Sequence, residues 1–236
     1  MLNLVHPCTF VSEKNKFECL RFWPGAGSPP TFEYKGPDND VIEVKDNLRD
    51  LGVQLSSDLS FKLHVEKTVA GASKLAGWGL RSFRRRSKLV MKTIWKCLVQ
   101  PKLDYCSQLW SPGDQDSINK LEAVQRHFTS KVKGLEDMEY WERLQDLKLY
   151  SQERRRERYI LIFLWKISQG MVKGYNVTFT TAGRRGRTIT PNQVVGSAPA
   201  AVRRARESSL GVKGAKLFNL LPSSIRNMNT DHIDTF

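Results

Sequence analysis

Most compact catalytic sites are built on residues and patterns that this sequence lacks. It has only four cysteines, Cys8, Cys19, Cys97 and Cys106, and none forms a C-x-x-C pair. A zinc finger or knuckle is therefore not expected, and free thiols in a reducing compartment fit better. No stretch approaches the ~18 consecutive apolar residues of a membrane-crossing helix. The N-terminus lacks the basic region and apolar run of a signal peptide. The chain is thus expected inside the cell, in cytoplasm or nucleus, with no membrane partner. It has no glycine-rich phosphate loop and no G-x-S-x-G elbow. The four histidines, His6, His64, His127 and His232, are scattered. His64 and His127 are expected to serve packing or capping. Carboxylates stand at Asp104, Asp137 and Glu139. No pair of aspartates occupies the apolar strand–turn setting that two-metal phosphoryl transfer requires. Neither catalytic residues nor metal ligands are expected in this chain. There is no internal repeat.

What the sequence does have is positive charge. Its 236 residues carry 38 Lys and Arg against 24 Asp and Glu, a net charge of +14. Hydrophobic residues make up 40% of it, enough to fill a core. The simplest partner for such a surface is a polyanion, because Lys and Arg neutralise phosphates and release counterions. The competing explanation is a generic basic surface, or a basic piece parted from acidic neighbours.

The pattern along the chain predicts a mainly α fold with a small N-terminal antiparallel β unit, an α+β arrangement. Residues 17–23 alternate loosely and are rich in β-formers. Thr31 to Tyr34 and Val41 to Val44 read as short strands, with turn chemistry from Gly36 to Asp40 between them. Leu51 to Leu55 reads as a third strand. From Ser60 the period becomes helical: Phe61, Val65, Val69, Ala72, Ala76 and Leu80 share one face. Ser87 is placed to cap a second helix, with Leu89, Val90, Ile94, Cys97 and Leu98 inward and Pro101 ending or kinking it. Asp114 or Asp116 caps the next helix, which carries Ile118, Leu121, Val124, Phe128 and Val132. Tyr140, Leu144 and Leu147 mark a short helix. Ser151 caps a longer one that stops at Gly170. From Gly174 to about Glu207 the pattern fades into an expected mobile basic linker. One last short helix is expected from Leu210 to Leu221.

Arginine and lysine cluster in three places. Arg81, Arg84, Arg85, Arg86, Lys88, Lys92 and Lys96 run through a helix end, a turn and the next helix, interleaved with Trp78 and Phe83. Guanidinium forks suit phosphates, and aromatic rings stack on bases. This is the preferred nucleic-acid-binding cluster; a merely solvated basic face is the alternative. Arg154, Arg155, Arg156 and Arg158 form a second cluster, diluted by Glu153 and Glu157. Arg184, Arg185 and Arg187, then Arg203, Arg204 and Arg206, form a third.

Several phrases in order carry a family resemblance. They are Arg49-Asp50-Leu51-Gly52-Val53, Asp58-Leu59-Ser60-Phe61 with His64, and Pro101-Lys102-Leu103-Asp104-Tyr105-Cys106. Further on come Leu109-Trp110-Ser111-Pro112, Leu121 to Arg126, Tyr140 to Leu144, Arg154 to Arg158, and Leu217 to Pro222. Together they resemble the C-terminal part of reverse transcriptases from animal non-LTR retrotransposons of the jockey and chicken-repeat type. The likeness runs from about Asn15 to the end of the chain.

The resemblance implies a truncated RNA-directed DNA polymerase fragment that keeps template–primer binding and is inactive alone. Residues 1–58 would be a palm remnant, 59–115 a helical thumb-like bundle, 116–172 a helical extension, and 173–236 a basic flexible segment with a short terminal helix. It places the F/Y-A-D-D aspartates, and the Mg they hold, N-terminal to Met1. The apolar ending expected of the family would lie beyond Phe236. Lys16 resembles the palm's late lysine, although Glu13 stands where the family has asparagine three residues earlier. Leu51 and Gly52 resemble the hairpin that grips the primer end. The implied partners are RNA, DNA or an RNA–DNA duplex. Two alternatives stay open: a helical module that docks a protein or RNA, and a nonfunctional pseudogene product.

Overall fold

The computed structural model describes residues 17–22, 32–36, 39–172, 179–181, 187–189 and 200–227. Among these the chain is mainly helical with a small N-terminal β unit, an α+β fold. Expectations at Lys16, the 24–30 loop, Arg184 and Arg185 fall outside the described residues.

The β unit consists of short paired strands. β1 (Cys19–Leu20) pairs in parallel with β4 (Val44–Lys45), and β2 (Tyr34–Lys35) pairs antiparallel with β3 (Val41–Ile42). β5 (Asn47–Asp50) and β6 (Val53–Ser56) form a hairpin in which Asp50 faces Val53. That register leaves Leu51 and Gly52 as a two-residue turn, with φ of 43° and 87°. Positive φ at both positions makes a type I′ turn, whose twist matches that of the strands. The expected strand from Leu51 therefore starts at Val53. Its partner, Asn-Leu-Arg-Asp, is too polar to show a strand period. The hairpin packs through buried Val53 on the first helix.

α1 (Lys62–Ser82) buries Val65, Thr68, Ala72, Ala76 and Gly79. α2 (Lys88–Ile94) runs through a π-helical turn, Trp95–Val99, into α3 (Gln100–Asp104). Pro101 has no N–H and its ring crowds the carbonyl four residues back, so a regular helix cannot pass through it. The wider turn absorbs the misfit: the Gln100 amide reaches back five residues to the Trp95 carbonyl. One residue is thereby inserted into the period. Val99 and Leu103 take the inward places that an uninterrupted helix would give Leu98 and Lys102. Leu89 and Cys97, expected inward, are exposed, and Met91 and Trp95 are buried instead.

Gly79 sets the closest approach of α1 to α2. A Cβ there would stand 2.8 Å from Cγ2 of Ile94, a buried β-branched side chain with nowhere to turn. Gly71 faces only the flexible end of Lys102, at 3.1 Å. Gly79→Ala is expected to cost a net ~1 kcal/mol, the overpacking penalty exceeding the gain in helix propensity. Gly71→Ala is expected to be neutral or stabilising. Urea midpoints of the two variants check the contrast, and equal shifts would refute it.

α4 (Gln115–Thr129) is capped by Asp114, whose carboxylate accepts from the Ser117 amide at 2.9 Å. It lays Leu121, Val124 and Phe128 into the same core as Met91, Trp95 and Leu103. α5 (Tyr140–Leu147) buries Tyr140, Leu144 and Leu147. α6 (Gln152–Ser168) is capped by Ser151 and ends before Gly170, at φ 70°. The C-terminal part contains β7 (Phe179–Thr181) paired with β8 (Arg187–Ile189), then α7 (Ala200–Ser208) where a linker was expected. A π-helical turn (Leu210–Gly214), α8 (Ala215–Leu220) and α9 (Ser223–Arg226) complete it. Ala215 and Phe218 pack with Leu164 and Ile189 in a second, smaller core. The side-chain amide of Asn219 takes the place of a strand partner. Its Oδ1 accepts from the Ile189 amide and its Nδ2 donates to the Ile189 carbonyl, both at 2.9 Å. No helix among the described residues is long and apolar enough to cross a membrane.

Candidate nucleic-acid interface

Lys67, Lys74, Trp78 and Arg81 follow one another at steps of seven, four and three residues, which places them on one face of α1. All four are exposed. Fourteen residues of helix extend this stripe over ~21 Å. Lys102 of α3 lies beside it, against Gly71. Glu66 points elsewhere, toward Lys120 of α4.

The stripe ends at the hairpin on one side and at the arginine turn on the other. At the hairpin, the Lys67 ammonium donates to Oε1 of Gln54 at 2.8 Å. His64 fixes the same strand: its Nδ1 accepts from the Gln54 amide at 3.1 Å, and its ring meets Trp110 edge-on at 4.5 Å. Burial, helped by the charges of Lys102, Arg156 and Arg49, lowers the His64 pKa to about 4, so the ring is neutral near pH 7. Tyr105 donates its hydroxyl to the Leu51 carbonyl at 2.7 Å, which seats the turn against the helices.

At the other end, Arg84, Arg85 and Arg86 are exposed in the extended turn between α1 and α2. The Arg86 carbonyl accepts from the Lys133 amide at 2.8 Å, which anchors that turn. Trp78 and Phe83 stand edge to face, 6.2 Å apart, and are 49% and 41% exposed. Apolar rings left this open among cations are available for stacking. Arg84, Arg85 and Lys92 have no carboxylate partner among the described residues, whereas Lys88 is paired with Asp146 at 2.9 Å. Lys88 is therefore a weaker candidate than its neighbours.

The expected residues do not all meet. Arg81, Arg84, Arg85, Arg86, Lys88 and Lys92 gather around one end of α1. Leu51 and Gly52 lie at the other end, and the 21 residues of α1 separate the two groups by ~30 Å. Lys67, Lys74 and Lys102, not among the expected binding residues, fill the interval. Lys67 and Lys74 were legible as a helical step of seven; Lys102 gave no local signal.

In the second arginine cluster Arg155 and Arg156 are taken up in structural roles, whereas Arg154 is exposed. Arg155 donates through Nε to Asp104 at 2.7 Å, and Tyr159 shares that carboxylate. Arg156 is buried, donates through Nη2 to the Leu103 carbonyl at 2.8 Å and lies 3.9 Å over the Trp110 ring. Arg158 stands over Tyr150. Nearby, the buried Glu122 carboxylate accepts from Tyr140 and from the Gln152 amide, and burial raises its pKa. Of the third cluster, Arg203, Arg204 and Arg206 lie on α7. Among the described residues no three His, Cys, Asp or Glu side chains converge as a metal site. Compared with protein-family models, curated proteins and solved structures, the chain matches none.

Proposed function

We propose that the chain grips nucleic acid, in the manner of the thumb and primer-grip hairpin of a non-LTR retrotransposon reverse transcriptase, and does not polymerise by itself. The observation that carries this is the basic, aromatic face of α1, continued by Lys102 and the arginine turn. Cations spaced along ~21 Å of helix suit successive phosphates of a duplex or an extended strand. Backbone contacts of this kind position a partner without reading its sequence. The hairpin tip, seated on Tyr105 at the far end of the same helix, supports the likeness to a primer grip.

Fluorescence anisotropy with a labelled RNA–DNA duplex tests the proposal. Affinity is expected to fall steeply with salt and to vary little with sequence. Replacing Arg84, Arg85 and Arg86 together by alanine is expected to weaken binding at least tenfold and to lower the salt slope by ~2–3. Unchanged affinity would remove the arginine turn from the interface. In primer extension with Mg²⁺ no incorporation is expected, because phosphoryl transfer needs carboxylate-held metal ions. Incorporation above background would overturn the inactivity.

A second reading, a protein-docking module, is favoured by an open groove of ~920 Å³ between α5 and α6. Trp141 and Tyr150 line it, 60% and 51% exposed. A salt-insensitive protein complex abolished by Trp141→Ala, with no duplex binding, would favour that reading.

A further inference from the structure

On a continuing helix Trp78 and Phe83, five positions apart, would point ~140° away from each other. The helix stops instead. Phe83 turns to an extended backbone, φ −110° and ψ 104°, and its amide donates to the Gly79 carbonyl at 3.2 Å. That turn brings its ring back beside Trp78, edge to face at 83°. An edge-to-face pair leaves ring face uncovered, whereas two rings stacked in parallel would close one face of each.

Elsewhere in this arginine-rich chain such faces are taken. Guanidinium groups lie over Tyr34, Trp110, Tyr140, Tyr150 and Tyr159. Among the described residues none lies over Trp78 or Phe83, although Arg81, Arg84, Arg85 and Arg86 stand within a few positions of them. The Arg81 guanidinium is folded back against Gly77, where a Cβ would stand 3.1 Å from its Nη1. Arg84 and Arg85 are exposed.

This combination selects between partners. In a duplex each base face is covered by the next pair, and the grooves show only base edges and the backbone. Duplex contact uses the cations and gives the two rings nothing to stack on. An unpaired nucleotide presents a planar face and a phosphate on one unit, and so engages ring and guanidinium together. We propose that the end of α1 and the arginine turn hold an unpaired strand of nucleic acid. One base stacks on the Trp78–Phe83 pair, and the flanking phosphates lie against Arg81, Arg84 and Arg85. The inference rests on the grip reading and assigns this end of the basic face to a single strand, alone or extending from a duplex. Base faces and phosphates are common to DNA and RNA, so both bind.

The test compares a labelled oligo(dT), an oligo(U) of equal length and a blunt duplex by fluorescence anisotropy on the full chain. Replacing Trp78 and Phe83 together by alanine is expected to lower single-strand affinity about tenfold and duplex affinity less than about threefold. The single-strand loss should persist at high salt, because stacking releases no counterions. Trp78→Tyr with Phe83→Tyr keeps two rings and should restore most of the preference. In a separate arm, saturating oligo(dT) is expected to quench tryptophan fluorescence in the wild type and much less in Trp78→Phe, which keeps a ring and removes its emission. This arm stands even if the double alanine variant does not fold. Duplex binding without strand binding, equal losses on both, no loss on either, or an unchanged quench in Trp78→Phe overturns the proposal and leaves the duplex grip standing. No binding of any probe by the wild type overturns the grip reading and this one with it.

Discussion

Trp110→Ala is expected to remove ~3–5 kcal/mol, a large share of the ~5–15 kcal/mol that holds a typical domain together. Trp110 is fully buried, and three otherwise separate parts of the chain meet on its ring. Its Nε1 donates to the Tyr105 carbonyl at 2.7 Å, its edge meets His64 of α1, and its face carries Arg156 of α6. Truncation leaves a cavity and also strips the guanidinium of its cover, so a buried cation keeps only the Leu103 carbonyl. Trp110→Phe retains a ring and loses the N–H donor, and is expected to cost less. Urea unfolding followed by circular dichroism measures both. A loss below ~1 kcal/mol for Trp110→Ala would show that the site collapses freely and that the ring is not a junction of the three segments.

Acid is expected to loosen the hairpin through His64. An unfolded histidine titrates near 6.5, whereas the folded ring titrates at about 4. Between these values the unfolded chain takes up a proton that the folded chain refuses. The stabilising contribution is therefore fully present above pH 6.5 and is lost as pH falls toward 4. The shift corresponds to roughly 3 kcal/mol, reduced to ~2 kcal/mol for partial solvent screening of the ring and its charged neighbours. Asparagine at this position keeps an acceptor for the Gln54 amide and does not titrate. His64→Asn is thus expected to flatten the loss of stability between pH 7 and 4.5. Asp114, whose capping bond to Ser117 holds its pKa down despite burial, loses its contribution only below the ordinary value of 3.8, outside this window, and remains in the variant. The difference between the two pH profiles, not either profile alone, reports His64. Parallel profiles would exclude it.

Both predictions concern groups whose partners are distant in the chain, and there the sequence was hardest to read. Helices α1, α4, α5 and α6 were legible, because caps and apolar spacing act within a turn or two. Asp114, Ser151 and Gly170 act as expected. The reading failed at Cys97, since a π-helical turn ahead of Pro101 changes the period midway, and at Leu89, which lies on the side of α2 away from buried Met91. It also failed at residues 200–208, a helix with too few apolar positions to stand out.

The candidate basic face was half legible. The arginine turn is visible as composition, and Lys67 and Lys74 as helical spacing. Leu51 and Gly52 were placed in a hairpin by resemblance, and the positive φ at both positions supplies the physical basis for that turn. What no local pattern could tell is which arginines are free. Arg84 and Arg155 look alike in sequence, each set in a run of its own kind. One is exposed, and the other reaches Asp104, 51 positions away.

By itself, then, the sequence determined helices α1, α4, α5 and α6, the caps at Asp114 and Ser151 and the excess of positive charge, because these depend on neighbours within a few residues; Ser87, also expected to cap, makes no side-chain cap bond. Only the tertiary structure decided where that charge is used. A guanidinium is committed by the carboxylates, carbonyls and rings that folding brings to it, and at Arg155 and Arg156 those come from another helix and from the Trp110 loop.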